Sequence, residues 1–228
     1  AELRLSRDRD ARIVNPSPTP EHLQFLDPDG RVECLGKGVT VEEACETDVH
    51  VVLDTSAWAQ IVGVGEVLKK TGAVKVVIDH HQSSDHLGDL EFKQVSAEAT
   101  GRLVFELAEF AGWEISQPAA NALFCAIATD TGWFRFSSTN GGTLAAAGRL
   151  IDLGASPHLS YRELYERVSQ ARLRLTGRML ERIELACDGR LAWLSARRDD
   201  FVSTGSVPAD TEDVVNECFR IVGVECAF

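Results

Sequence analysis

The sequence is short of positive charge. It carries 23 Lys+Arg against 35 Asp+Glu, a formal net charge of −12 over 228 residues. Gripping long duplex nucleic acid needs clustered cations, so this chain is a poor match to that partner. An acidic balance remains compatible with short nucleotides and with divalent metals held by carboxylates. No run of 18 apolar residues occurs, so no membrane span is expected. Residues 1–10 have neither the apolar stretch nor the cleavage signature of a secretory leader. They also lack an initiating methionine, which reads as a processed or partial chain. No two of Cys34, Cys45, Cys125, Cys187, Cys218 and Cys226 have C-x-x-C spacing, which removes a zinc knuckle and a dithiol redox site. Six unpaired thiols fit a reducing compartment, hence a cytoplasmic location. There is no G-x-x-x-x-G-K-[ST] loop and no G-x-S-x-G elbow, so neither a P-loop nor a serine-hydrolase site is expected. Internal repeats and low-complexity tracts are absent too.

What is present is ordinary for a folded domain: 44% hydrophobic and 25% charged residues. The length suits one large domain or one and a half ordinary ones. The first half alternates strand-like and helix-like runs. Arg12–Asn15 reads as a strand end, then a proline-rich loop, then a short helix over Glu21–Leu26. His50–Asp54 reads as a strand apolar on both faces, as a buried parallel strand is. Thr55-Ser56 reads as the cap of a helix over Ala57–Lys70, and Ala73–Asp79 as the next strand. This spacing predicts a β-α-β crossover and a parallel sheet. Helices are expected over Ser96–Trp113, from Pro118 through Ala128, and over Asn140–Leu153. A long amphipathic helix is expected over Ser160–Cys187, with a kink near Gly177. Beyond Gly189 come a strand over Leu191–Ser195, a helix over Asp210–Arg220 and a strand over Ile221–Cys226. The fold expected is α/β, a parallel sheet with flanking helices. Residues 1–157 form the main domain, 158–187 a connecting helix, and 188–228 the start of a smaller α/β domain.

Two successive strands end in carboxylates, Asp54 and Asp79. Ligands of open α/β sheets bind outside the carboxyl ends of the strands, so both face one crevice. His80 and His81 follow directly. Aspartate with imidazole suits a divalent ion such as Mn²⁺. Asp130 ends the apolar run of the second middle helix, where an ionised carboxylate is costly unless paired or metal-bound. Each feature alone has a plain structural reading. Asp54-Thr55-Ser56 reads equally as a helix cap, His80-His81 as a solvated turn, and Asp130-Thr131-Gly132 as a turn. Together, at element ends, they point to one site.

Val76-Val77-Ile78-Asp79-His80-His81 resembles the signature motif of the DHH phosphoesterase superfamily. Val51-Val52-Leu53-Asp54 resembles its second motif, a strand ending in aspartate. Ser96-Ala97-Glu98-Ala99-Thr100 and Asp130-Thr131-Gly132-Trp133-Phe134 resemble the segments that follow. The closest subgroup in that resemblance is the bacterial nanoRNase and phosphoadenosine phosphate phosphatase type. It implies a DHH-type catalytic domain over 1–157 and a DHH-associated domain beginning at 188. It implies a metal-dependent hydrolase acting on short single-stranded oligonucleotides or on a nucleotide 3′-phosphate. Asp54, His80 and Asp130 are the implied metal ligands for two Mn²⁺ ions in the complete protein, with Mg²⁺ as the alternative. His81 is implied on the substrate phosphate, and Asp79 orients the histidine pair from behind. Arg135 is a further candidate for holding phosphate. Such a protein needs no membrane and leaves room for a homodimer.

The chain departs from that family in two places. The family opens with a strand leading into a pattern near H-x-x-P-D-G-D-A, and no such element is found. Asp27-Pro28-Asp29-Gly30 looks like a fragment of it but reads as a turn. A glycine-rich G-G-G-H loop is also missing; Gly141-Gly142 lies elsewhere and has no histidine. The chain therefore reads as the core of such a protein without either end. The rival readings are a non-catalytic nucleotide- or metal-binding module, a RecJ-like single-strand exonuclease and a cyclic dinucleotide phosphodiesterase. The acidic charge disfavours the long-strand exonuclease, which needs a basic channel.

Overall fold

The computed structural model describes residues 11–61 and 63–228, so the leader reading of residues 1–10 lies outside the described residues. The β-branched runs form strands where expected. β1 (Ile13–Asn15) pairs in parallel with β2 (Val32–Cys34). A 3₁₀ turn over Glu21–Leu26 lies between them, and a single helical turn, α1 (Val41–Cys45), follows. Thr40 and Glu43 close the start of α1 reciprocally. β3 (Val49–Leu53), β4 (Val74–Asp79) and β5 (Leu90–Lys93) make a second, all-parallel sheet in that order. β2, α1 and β5 were not expected from the sequence.

The strand over 50–54 is not apolar on two buried faces. Val51 and Leu53 are each half exposed, as are Leu90 and Phe92 on β5. Register places Val51 beside Val76 and Val76 beside Leu90, so all four belong to one face of the sheet, covered over β4 where Ile78 packs on Ala97 and Leu103 but exposed on the flanking strands. The opposite face is packed. Val77 is fully buried there, in a cluster with Ile61, Leu68 and Leu87.

The helix expected over 57–70 is interrupted. A 3₁₀ turn, Trp58–Gln60, precedes α2 (Val64–Lys70), and Gly63 at φ 88° marks the break. Ser56 caps nothing; its hydroxyl goes to Asp79 instead. The helix expected over 96–113 is shorter, α3 (Thr100–Phe110), and Ser96 is not its cap. Residues 95–98 form a turn, with the Ala97 N–H donating to the Gln94 carbonyl, and Ala99 at φ −160° is extended, so the Ala97 carbonyl is left to His80.

α4 (Gln117–Asp130) and α5 (Gly141–Asp152) match the sequence closely, capped by Ser116 and Asn140. α3 and α4 approach so closely that a Cβ on Gly101 would lie 2.7 Å from that of Ala126. Phe105, Phe124, Ile127 and Leu150 from the three helices form the largest buried cluster.

The single connecting helix over 160–187 does not form. α6 (Pro157–Tyr165) ends, and α7 (Gln170–Leu180) starts afresh at Ser169, whose side chain accepts from the Arg172 N–H. That cap fixes the break before α7, whereas Gly177 sits inside an unbroken helix. Glu184–Ala186 is a strand, β6. The chain divides into two compact units, with the boundary between Leu164 and Tyr165.

In the second unit β6 pairs antiparallel with β7 (Leu191–Trp193), and β7 pairs in parallel with β8 (Cys226–Ala227). α8 (Arg198–Thr204) lies between β7 and β8 in sequence. The helix expected over 210–220 is two 3₁₀ segments, Pro208–Thr211 and Val214–Arg220, and the strand over 221–226 shrinks to β8. Leu175, Met179 and Val214 form this unit's core. Among the described residues, no helix is long and apolar enough to cross a membrane.

Candidate metal centre

Parallel strands β3 and β4 end side by side. The Asp54 N–H donates to the Ile78 carbonyl at 3.0 Å, carrying the ladder one residue beyond β3. There the chain turns at φ 64°, a conformation aspartate tolerates better than most residues. The Asp54 side chain is left exposed at the sheet's carboxyl end. Asp79 is the last residue of β4 and is fully buried. His80 and His81 follow it into the loop that leads to β5.

His80 has a defined tautomer. Its Nδ1 lies 3.2 Å from the Ala97 carbonyl oxygen. A carbonyl only accepts, so Nδ1 carries a proton, and in the neutral ring Nε2 keeps its lone pair. Nε2 stands 3.5 Å from Asp54 Oδ1 and 3.6 Å from Asp130 Oδ2. Asp130 is the last residue of α4, which brings it to the strand ends. One donor atom from each of Asp54, His80 and His81 also lies within 4.8 Å of the others. The four residues come from three segments far apart in sequence.

Asp79 is held differently. Ser56 Oγ donates to its Oδ2, and Lys93 Nζ lies 3.1 Å from the same oxygen. Its Oδ1 accepts from His81 Nδ1 at 2.7 Å and from the His81 backbone N–H at 3.2 Å. Burial alone would raise this carboxyl; the hydrogen bonds from Ser56, His81 and Lys93 overcome it and hold the pKa far below the usual carboxylate range. Asp130 shows the reverse. Burial raises its carboxyl, the Asp54 charge adds to the rise, and the two histidines oppose it. His80 Nε2 thus stands between Asp54 and Asp130, and Asp54, His80 and His81 bring ligand atoms within 4.8 Å of one another, donors that suit a divalent cation. The residues fit a metal.

The chain beyond Asp130 is strained. Gly132, Trp133 and Phe134 all have positive φ, at 55°, 60° and 65°. For bulky residues this costs about 1–3 kcal/mol each. Phe124 offsets it, with ring centroids 5.9 Å from both Trp133 and Phe134. The Phe136 ring occupies the space a Gly132 side chain would need. Trp133 also meets Tyr161 edge to face.

The structure therefore brings Asp54, His80, His81 and Asp130 together, with Asp79 behind His81. Arg135 is exposed, and its Nε donates to the Gly132 carbonyl at 2.7 Å. Sequence reasoning missed Lys93 and misread Ser56. The signal for Lys93 was a lysine in phase with Glu91 on a short apolar strand.

This geometry has a family. A model described as the DHH family, N-terminal domain, matches residues 6–127, more than half of the chain. The chain belongs to the DHH family. Its relatives include the bifunctional oligoribonuclease and PAP phosphatase NrnA of Bacillus subtilis, 29% identical over 185 residues, 80% of this chain and 58% of that protein. The protein of the same name from Thermus thermophilus is 29% identical over 175 residues, 75% of this chain and 48% of the relative. The chain thus spans about half the length of these two relatives. An exopolyphosphatase-related protein from Bacteroides fragilis has the same fold, with a TM-score of 0.93 at 24% identity, over 98% of this chain and 67% of that one.

Proposed function

We propose that this chain is the metal-binding core of a phosphoesterase that hydrolyses short single-stranded oligonucleotides, a nucleotide 3′-phosphate such as phosphoadenosine phosphate, or both. The observation that carries the reading is the convergence of Asp54, His80 and Asp130 at adjoining strand and helix ends. The names of the two NrnA relatives support the substrate class, and the net charge of −12 supports short substrates over long ones.

Asp54, His80 and Asp130 hold Mn²⁺, or Mg²⁺ in its place, with two ions in the complete protein. When bound, the metal neutralises phosphoryl charge and makes a water acidic enough to attack at neutral pH. The chain's residues do the remaining work. The Ala97 carbonyl fixes the His80 proton on Nδ1, which leaves Nε2 free as a ligand. Asp79 accepts from His81 Nδ1–H, which turns Nε2 outward, where the Nε2–H of the doubly protonated ring donates to a substrate phosphate oxygen. Arg135, on the turn that leaves Asp130, supplies a cation for the phosphate's outer oxygens. Residues beyond Gly189 begin the smaller second domain, and six free thiols support a cytoplasmic location.

The test is hydrolysis of a two- to five-nucleotide RNA and of phosphoadenosine phosphate by the complete protein with Mn²⁺. Asp130→Ala or His80→Ala should lower turnover by at least about a hundredfold. Unchanged turnover in either variant refutes the assignment.

A further inference from the structure

β5 is out of phase with its surroundings. Its apolar residues, Leu90 and Phe92, are more than half exposed, while Glu91 and Lys93 point to the face on which Val77 is buried. These inward charges fasten the loop between β4 and β5. Glu91 accepts from Ser84 Oγ at 3.0 Å and lies 3.8 Å from His86 Nδ1. Lys93, whose side chain is only 16% exposed, donates to the Ser83 carbonyl and to Ser56 Oγ and pairs with Asp79. Placing an ammonium group there is costly unless its three donors are used, and all three have partners.

We infer that Lys93 is a positioning residue for His81, acting through Asp79. The two carboxylate oxygens divide the work. Oδ2 receives Ser56 and Lys93 from behind; Oδ1 receives the ring and backbone N–H of His81 in front. The rear pair stops the carboxylate from rotating about its last bond. A fixed Oδ1 then holds the His81 ring in one orientation and one tautomer, with the proton on Nδ1. Register supports this, because Lys93 is the β-ladder partner of Asp79 itself. The same ammonium also ties down Ser83, two residues beyond His81, so one cation sets both the ring's anchor and the loop that follows.

The tautomer part stands on geometry alone, and the kinetic part rests on the proposed hydrolysis. Lys93→Met keeps the stem and removes the charge. Long-range ¹H–¹⁵N spectra of the metal-free protein at about pH 8, above the imidazole range, report the tautomer of His81. The wild-type protein should show a single Nδ1-protonated ring, and Lys93→Met a mixture of both tautomers. With Mn²⁺ and a short RNA, kcat should fall about tenfold, with KM changed less than about twofold. Lys93→Arg should recover part of both signals. A His81 spectrum in Lys93→Met identical to wild type overturns the inference. If Lys93→Met fails to fold, Lys93→Ala removes the same ammonium group without burying an apolar stem, and an unchanged His81 spectrum there overturns it equally. If the wild-type protein hydrolyses neither substrate, the proposed function fails, and the spectrum still decides the role of Lys93.

Discussion

Asp79 in the first unit and Asp200 in the second are both buried acids whose carboxyls are held far below the usual range. Their donors differ. Asp200 is gripped by Arg182 through two bonds and by the Arg197 backbone N–H, with Arg178 at 3.6 Å. Every one of those groups ends its work at the carboxylate. Asp79 spends one oxygen on Ser56 and Lys93 and the other on an imidazole beside Asp54, His80 and Asp130. A strongly perturbed acid therefore does not by itself mark a site. What marks one is a donor whose far side faces unpaired ligand atoms.

The largest effects separate the units at their cores. Phe124→Ala and Leu175→Ala each remove a buried side chain and should cost about 3–5 and 2–5 kcal/mol by denaturant unfolding. Only Phe124→Ala should also weaken Mn²⁺ binding in calorimetry, because its helix ends in Asp130. Equal weakening by Leu175→Ala would break the comparison.

A middle-sized effect compares the acids directly. Asp79→Asn should lower turnover of a short RNA by about 10–100-fold, while Asp200→Asn leaves it unchanged. Asp200→Asn should instead show itself in the acid limb of stability. The Arg182 hydrogen bonds, then the Arg197 N–H, depress the Asp200 carboxyl. A depressed acid contributes stability that is present above the unfolded carboxyl pKa and lost as pH falls through the folded value. Melting curves of Asp200→Asn should therefore lie below wild type at neutral pH and converge with it below about pH 4.

The smallest effect has the opposite sign. In metal-free protein, Asp130→Asn removes a partly buried charge that faces Asp54. Its melting temperature at neutral pH should rise slightly, even as Mn²⁺ affinity collapses. A lower melting temperature would show that Asp130 is satisfied without a cation.

Much of the site was legible because it sits where hydrophobic runs end. Val51–Leu53 and Val76–Ile78 predict strands, and an aspartate after each can only lie at a strand's carboxyl end. Asp130 was legible for the same reason at the end of an apolar helix. Lys93 and Ser56 were not legible. Their partner is 14 and 23 residues away in sequence, and β5 turns its charges inward, against the usual alternation. The long helix over 160–187 misled because its apolar spacing continues through the break. A serine cap at Ser169, a single side-chain oxygen, decided where the helix restarts.

The left-handed turn at Trp133 and Phe134 carries one more consequence. The grip on Asp130 comes from ring burial against Phe124, whereas the grip on His81 comes from charge. Hydrophobic burial weakens on cooling, while ionic hydrogen bonds do not depend on it. Chilling should thus loosen Asp130 first and leave Asp54 and the imidazoles in place, a cold sensitivity confined to one corner of a single site.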